Sequence, residues 1–218
     1  MKLILFDIDG TLVRRAGPHH RRALEEAVRQ VTGVPATTDG IPLHGMLDPD
    51  IIRLMLDAAG IQGDLPGIME AAENIYDATV PADLSDKTCP GVIELLTRLE
   101  ASGAVLALVT GNLTRIGWRK LERAGVGRFF RFGAFGEEAE TRGGLARIAI
   151  EKARRDYEVG RNAAVALVGD TANDVIAARE NGIRSIAVRT GVTPAGELEA
   201  CSPDHIYNDL TEFDFSII

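Results

Sequence analysis

Short runs of apolar residues, each of strand length, recur along the chain with amphipathic stretches of helical length between them. The stronger runs lie at residues 3–6, 104–109, 163–168 and 184–188, and weaker ones at 132–135 and 205–207. The helical stretches fall at residues 92–101, 115–124, 145–157 and 173–181. Successive strands joined by helices run parallel, and a parallel sheet is covered on both faces. Glycines at 103, 125, 160 and 182 follow these helices, where C-terminal caps are expected. With 45% hydrophobic residues, the chain of 218 can bury a core of that size.

The stretch 14–87 breaks the alternation. It reads as helix only, at 19–31, 49–59 and 65–79, with turns at 33–42 and 60–63. It falls between the first strand and the second, so it is an insertion into the sheet. The expected architecture is α/β: a Rossmann-like parallel sheet core from residues 1–13 and 88–218, with an all-helical cap at 14–87. A helical insertion over the carboxyl edge of a sheet would act as a lid.

Two acids, Asp7 and Asp9, sit at the end of the first apolar run, just before Gly10 and Thr11. Strand packing has no use for a pair of carboxylates there. The carboxyl end of a parallel sheet is, however, where ligands bind. Their repulsion must be relieved by a cation, by protonation or by positive dipoles. Other polar groups follow the other strands: Thr110-Gly111-Asn112, then Glu137-Glu138 and Arg142, then Asp170 through Asp174. The fold would bring them all to one edge.

Bulk composition narrows the partners. A net charge of −8 disfavours nucleic acid and anionic membranes, both of which need a basic surface. Cys89 and Cys201 have no metal-ligand spacing and read as reduced thiols. The opening apolar run is too short for a membrane span and is interrupted too early by acids for a signal peptide. The expectation is a cytoplasmic protein, with its oligomeric state open.

The assembled groups suit phosphoryl chemistry. Asp7, Asp170 and a backbone carbonyl near Asp9 offer hard oxygens of the kind that hold magnesium. Thr110, the N–H groups of Gly111 and Asn112 at a helix start, and Arg142 can receive anionic oxygens. A carboxylate in line with the leaving group can act as nucleophile and form an aspartyl phosphate.

These motifs resemble the haloacid dehalogenase superfamily, dominated by magnesium-dependent phosphatases. The first is Asp7-Ile8-Asp9-Gly10-Thr11-Leu12-Val13, the second Thr110 in Val109-Thr110-Gly111-Asn112, and the fourth Gly169-Asp170-Thr171-Ala172-Asn173-Asp174. The resemblance implies Asp7 as nucleophile and Asp9 as general acid and then base. It implies magnesium held by Asp7, Asp170 and the Asp9 carbonyl, with Asp174 in support. The third motif departs from the usual lysine-proline; Arg142 is the candidate there, and Lys152 reads as a solvent-facing helix residue. The place of the insertion resembles the phosphoglycolate phosphatase and β-phosphoglucomutase branch. The implied partner is a small phosphorylated metabolite.

Weaker features have simpler readings. Asp48-Pro49-Asp50 reads as a helix start with Asp48 as N-cap. The resemblance to phosphoglycolate-phosphatase-like members implies that His44-Gly45-Met46 could touch substrate, but the capping role is the favoured reading of this segment. The basic group Arg14, Arg15, His19, His20, Arg21 and Arg22 reads mostly as a solvated face, with one or two members available for a second anion. The rival functions are a mutase, which passes the phosphoryl group to a sugar, and a phospho-accepting receiver domain.

Overall fold

Leu3, Ile4, Leu5 and Phe6 are all fully buried. A strand with no solvent face belongs at the centre of a sheet covered on both sides. In the computed structural model, which describes residues 2–214 and 217, this strand (β1, Lys2–Phe6) is central. The others are β2 (Val105–Val109), β3 (Phe132–Ala134), β4 (Ala164–Gly169), β5 (Arg184–Val188) and β6 (His205–Tyr207). All pairings are parallel, in the order β3-β2-β1-β4-β5-β6. The chain runs outward from β1 through β2 to β3, then crosses back to β4 on the other side. The crevice between β1 and β4 is therefore the topological switch point, where open α/β sheets place ligands at their carboxyl ends.

Four helices lie between β1 and β2, and the first three make up the inserted stretch: α1 (His19–Thr32), α2 (Asp48–Ala58) and α3 (Leu65–Thr79). The remaining helices are α4 (Val92–Ala101), α5 (Thr114–Arg123), α6 (Arg142–Asp156), α7 (Ala172–Glu180) and α8 (Ala195–Ala200). Two of these depart from expectation. Helix α8 has no counterpart among the expected helices. Helix α6 begins at Arg142 rather than Leu145, because Thr141 caps it by accepting from Gly144 N at 3.0 Å. The Gly143-Gly144 pair reads as loop, yet both residues lie in the first turn of α6. Left-handed glycines do follow helices at 103, 125 and 182; after α6 the positive φ belongs to Glu158 instead of Gly160.

The sheet divides the core. Ile4 and Phe6 join one apolar cluster, and Leu3 and Leu5 the other, with α6 and α7. The first cluster also takes in Leu24 and Val28 of α1, Ile52 and Met55 of α2, Ile68 and Tyr76 of α3, and Leu95, Leu96 and Leu99 of α4. The inserted helices thus share apolar contacts with one face of the sheet. Their chain enters and leaves side by side: Arg14 N donates to Lys87 O at 2.8 Å and Cys89 N to Leu12 O at 2.9 Å. The start of α2 presses on the sheet's rim, where a Cβ on Gly111 would lie 2.0 Å from Met46 O.

Candidate active site

Asp7 continues the β1 ladder by donating its N–H to Val168 O at 2.9 Å, which puts its carboxylate at the switch point. The chain then turns sharply, and Gly10 takes φ +84°. A Cβ on Gly10 would also stand 2.2 Å from Asp170 Oδ2, so a glycine is demanded twice there. Thr11 Oγ1 donates to Asp170 Oδ1 at 3.2 Å.

Asp7, Asp170 and Asp174 are buried, and each brings one carboxylate oxygen within 4.8 Å of the others. Asp174 Oδ2 caps α7, accepting from Thr171 Oγ1 at 2.6 Å and Thr171 N at 3.1 Å. Its Oδ1 is buried without a hydrogen-bond partner. Three buried acids this close, one with an oxygen that no hydrogen bond satisfies, fit a hard divalent cation. Burial, together with the charges of Asp174 and Asp9, pushes the Asp7 carboxyl up to about 6 despite Arg142 beside it. Burial and the charge of Asp7 hold Asp170 well above the usual carboxylate range.

Arg142, at the first position of α6, is buried in this cluster. Nη1 donates to Asp7 Oδ1 at 2.8 Å and to Val109 O at 3.2 Å; Nη2 reaches Gly45 O at 3.4 Å. Nε stands 3.6 Å from Asp174 Oδ1. Burial opposes its charge, but Asp7, Asp174 and Asp170 hold its pKa above the ordinary value. Lys152 differs from its solvent-facing reading: it donates to Gly133 O at 2.8 Å and Glu138 Oε2 at 2.6 Å, tying α6 to the end of β3.

On the other side of Asp7, Lys120 of α5 donates to Asp9 Oδ1 at 2.7 Å and Oδ2 at 2.6 Å. Asn112 Nδ2 also donates to Asp9 Oδ2 at 2.8 Å. Burial raises the pKa of Asp9, but the charge of Lys120 and these hydrogen bonds outweigh it and hold the carboxyl below its ordinary value. Lys120 was absent from the sequence-derived candidates. Its trace in the sequence is helical phase, since it lies four residues after buried Ile116 and beside buried Leu121, on the apolar stripe of α5.

The Thr110-Gly111-Asn112 segment sits beside the acids. Thr110 is fully buried, and its Oγ1 accepts from Asn112 Nδ2 at 2.7 Å. Gly111 and Asn112 precede α5 instead of opening it. The N–H groups at its start go elsewhere: Leu113 N to Asp48 Oδ2 at 2.8 Å, Thr114 N to Glu137 Oε1 at 3.0 Å, and Arg115 N to Glu73 Oε1 at 2.9 Å. Asp48 therefore caps α5 and not its own helix, where it occupies the first turn and Leu47 stands at the N-cap. Gly45 O accepts from Asn173 Nδ2 at 2.8 Å, which fixes the His44-Gly45-Met46 turn against the rim. Asp7, Asp9, Thr110, Arg142 and Asp170 all line one cavity of about 590 Å³, and His20, Ile51 and Tyr76 of the inserted helices line it too.

A parallel sheet with this switch point, carrying two aspartates after β1 and an acid group after β4, defines a class. The chain belongs to the haloacid dehalogenase-like hydrolases, whose family model matches residues 1–182. It is an enzyme of the phosphatase type. It is 30% identical to phosphoglycolate phosphatase from Agrobacterium fabrum, covering 95% of this chain and 88% of that protein. Glyceraldehyde 3-phosphate phosphatase from Methanopyrus kandleri is also 30% identical, over 88% of this chain and 85% of its own. In fold the chain resembles β-phosphoglucomutase from Clostridium difficile, with a TM-score of 0.74, 16% identity, and 100% and 95% of the two chains covered. Membership of this family sets aside the receiver domain. Among the described residues no helix is long and apolar enough to cross a membrane.

Proposed function

We propose that the protein is a magnesium-dependent phosphatase that hydrolyses a small phosphorylated metabolite through an aspartyl phosphate on Asp7. The observation that carries this reading is the buried Asp7–Asp170–Asp174 cluster with Arg142 bonded to Asp7. In this reading a carboxylate oxygen of Asp7 attacks phosphorus as the ester oxygen leaves. Asp9 gives that oxygen a proton and later takes one from the water that cleaves the acyl phosphate. Thr110, Gly111, Asn112 and Arg142 receive the phosphoryl oxygens, whose charge grows in the transition state. Asp7, Asp170 and the Asp9 carbonyl would hold magnesium, supported by Asp174, and the ion would supply positive charge against the phosphoryl group.

The inserted helices act as a cap that excludes bulk water and selects the leaving group. Arg14 and Arg15 line the cavity, and among the described residues neither forms an ion pair with a carboxylate. A leaving group with its own carboxylate would meet them, so phosphoglycolate is the first substrate to test. Released orthophosphate, measured over a panel of phosphorylated metabolites, checks the reading. Asp7→Asn should cut turnover more than about 1,000-fold, as loss of a nucleophile does, while thermal melting stays cooperative. Appreciable turnover by that variant, or full activity in excess chelator, would sink it.

A further inference from the structure

Lys120 has no part in the chemistry set out above, although its side chain is only 2% exposed and it reaches the carboxylate of Asp9. A buried ammonium group is costly unless every donor is used. Here they are used: Nζ meets both oxygens of Asp9, Asn112 Oδ1 at 2.6 Å and His20 Nδ1 at 3.0 Å. Because Lys120 can only donate, His20 Nδ1 accepts, so the ring proton sits on Nε2 and is given to Asp48 Oδ2 at 2.8 Å. Asp48 Oδ2 also accepts from Leu113 N at 2.8 Å. A closed network thus joins Asp9 after β1, α5 of the sheet domain, and α1 and α2 of the insertion.

Asp9 depends on it for orientation. Half of its side chain (49%) still faces the cavity, and Asn112 Nδ2 is its other side-chain donor. Without Lys120 the carboxylate is free to turn toward solvent. We propose that Lys120 is a positioning residue for Asp9: it sets the carboxylate's orientation toward the leaving oxygen and, through His20, makes that orientation depend on the seating of the inserted helices. The proposal rests on Asp9 acting as the acid of the phosphatase reading.

The test compares kcat/KM, which reports phosphoryl transfer to Asp7, on two substrates. From phosphoglycolate the glycolate departs as an alkoxide that needs a proton, whereas from p-nitrophenyl phosphate the p-nitrophenolate departs without one. Lys120→Met should lower kcat/KM on phosphoglycolate by about 100-fold, the lower end of what a general acid contributes. On p-nitrophenyl phosphate the loss should stay below about 5-fold, since that ester draws little on the acid. In an Asp9→Asn background, Lys120→Met should add less than about a 3-fold change on phosphoglycolate, as expected when two residues act as a unit. Equal losses on both substrates, or losses that multiply in the double variant, would show a merely structural lysine and overturn the proposal. If Lys120→Met does not fold, Lys120→Arg is measured instead; a ratio of the two substrates equal to wild type overturns the proposal. Should Asp9→Asn alone keep wild-type activity on phosphoglycolate, the assignment of Asp9 fails and takes the role of Lys120 with it. Loss in Asp9→Asn with an unchanged Lys120→Met refutes only the latter.

Discussion

Arg142 and Lys152 lie on the same helix and carry the same charge, yet they meet different fates. Arg142 enters the acid cluster from the first turn of α6, 2.8 Å from Asp7, whereas Lys152 reaches the end of β3 and Glu138. Removing the arginine leaves Asp7 and Asp174 buried without their cation, a loss of about 3–5 kcal/mol in typical buried pairs. Arg142→Ala should therefore reduce phosphate release by at least about 100-fold, as loss of a charge-stabilising donor does, and lower the melting temperature. Lys152→Ala breaks a partly exposed pair and should change activity less than about 2-fold, with at most about 1 kcal/mol of stability lost. Steady-state rates of the two variants decide; the reverse order would move the third motif to Lys152. Arg142 could be singled out from sequence because it follows a strand and an acidic loop. Lys120 could not, because a lysine on an apolar stripe looks like an interruption of the pattern until its partners, a hundred or more residues away at Asp9 and His20, are in view.

At the scale of elements, α5 joins the two parts of the molecule. Carboxylates from α2, α3 and the turn after β3 occupy the N–H groups at its start, where the helix dipole favours negative charge. Further along, Arg115 Nε donates to Glu73 at 2.9 Å and Arg119 Nε to Asp77 at 2.7 Å, both on α3. These pairs are one helical turn apart on each helix, so they form a row. Being partly exposed, each is worth about 1 kcal/mol or less. The double variant Arg115→Ala/Arg119→Ala should lose about 1–2 kcal/mol in urea unfolding, with the difference shrinking at high salt. No change at low salt would show that apolar packing alone seats the insertion. None of this row was legible in sequence, where Glu73 and Asp77 are simply acids on a helix surface. The helix itself was legible, since a period of apolar residues is a local property; its partners are not.

For the whole molecule, the clustering of acids makes metal binding and protonation compete. The folded state holds a proton on Asp7 up to about pH 6, above the ordinary carboxylate range, because of burial and the neighbouring acids. A pKa raised on folding stabilises the protein below the unfolded value, and that contribution is lost as pH rises through the folded one. In chelator, thermal stability from this source should therefore fall between about pH 4 and pH 7. Magnesium takes the deprotonated set, so its stabilisation should be larger at about pH 7.5 than at about pH 5. Melting temperatures with and without magnesium at the two pH values test this. Equal shifts would remove Asp7 and Asp170 from the ion's ligands.

The sequence by itself determined the parallel α/β sheet, the helical insertion after the first strand, and the residues that follow each strand. Those are consequences of local periodicity and of the chain's order, and both can be read along one dimension. Only the tertiary structure decided which of those residues meet, that Asp48 caps a helix other than its own, and that Lys120 grips Asp9. Hydrogen bonds and charge pairing act over a few ångströms in space, without regard to separation along the chain.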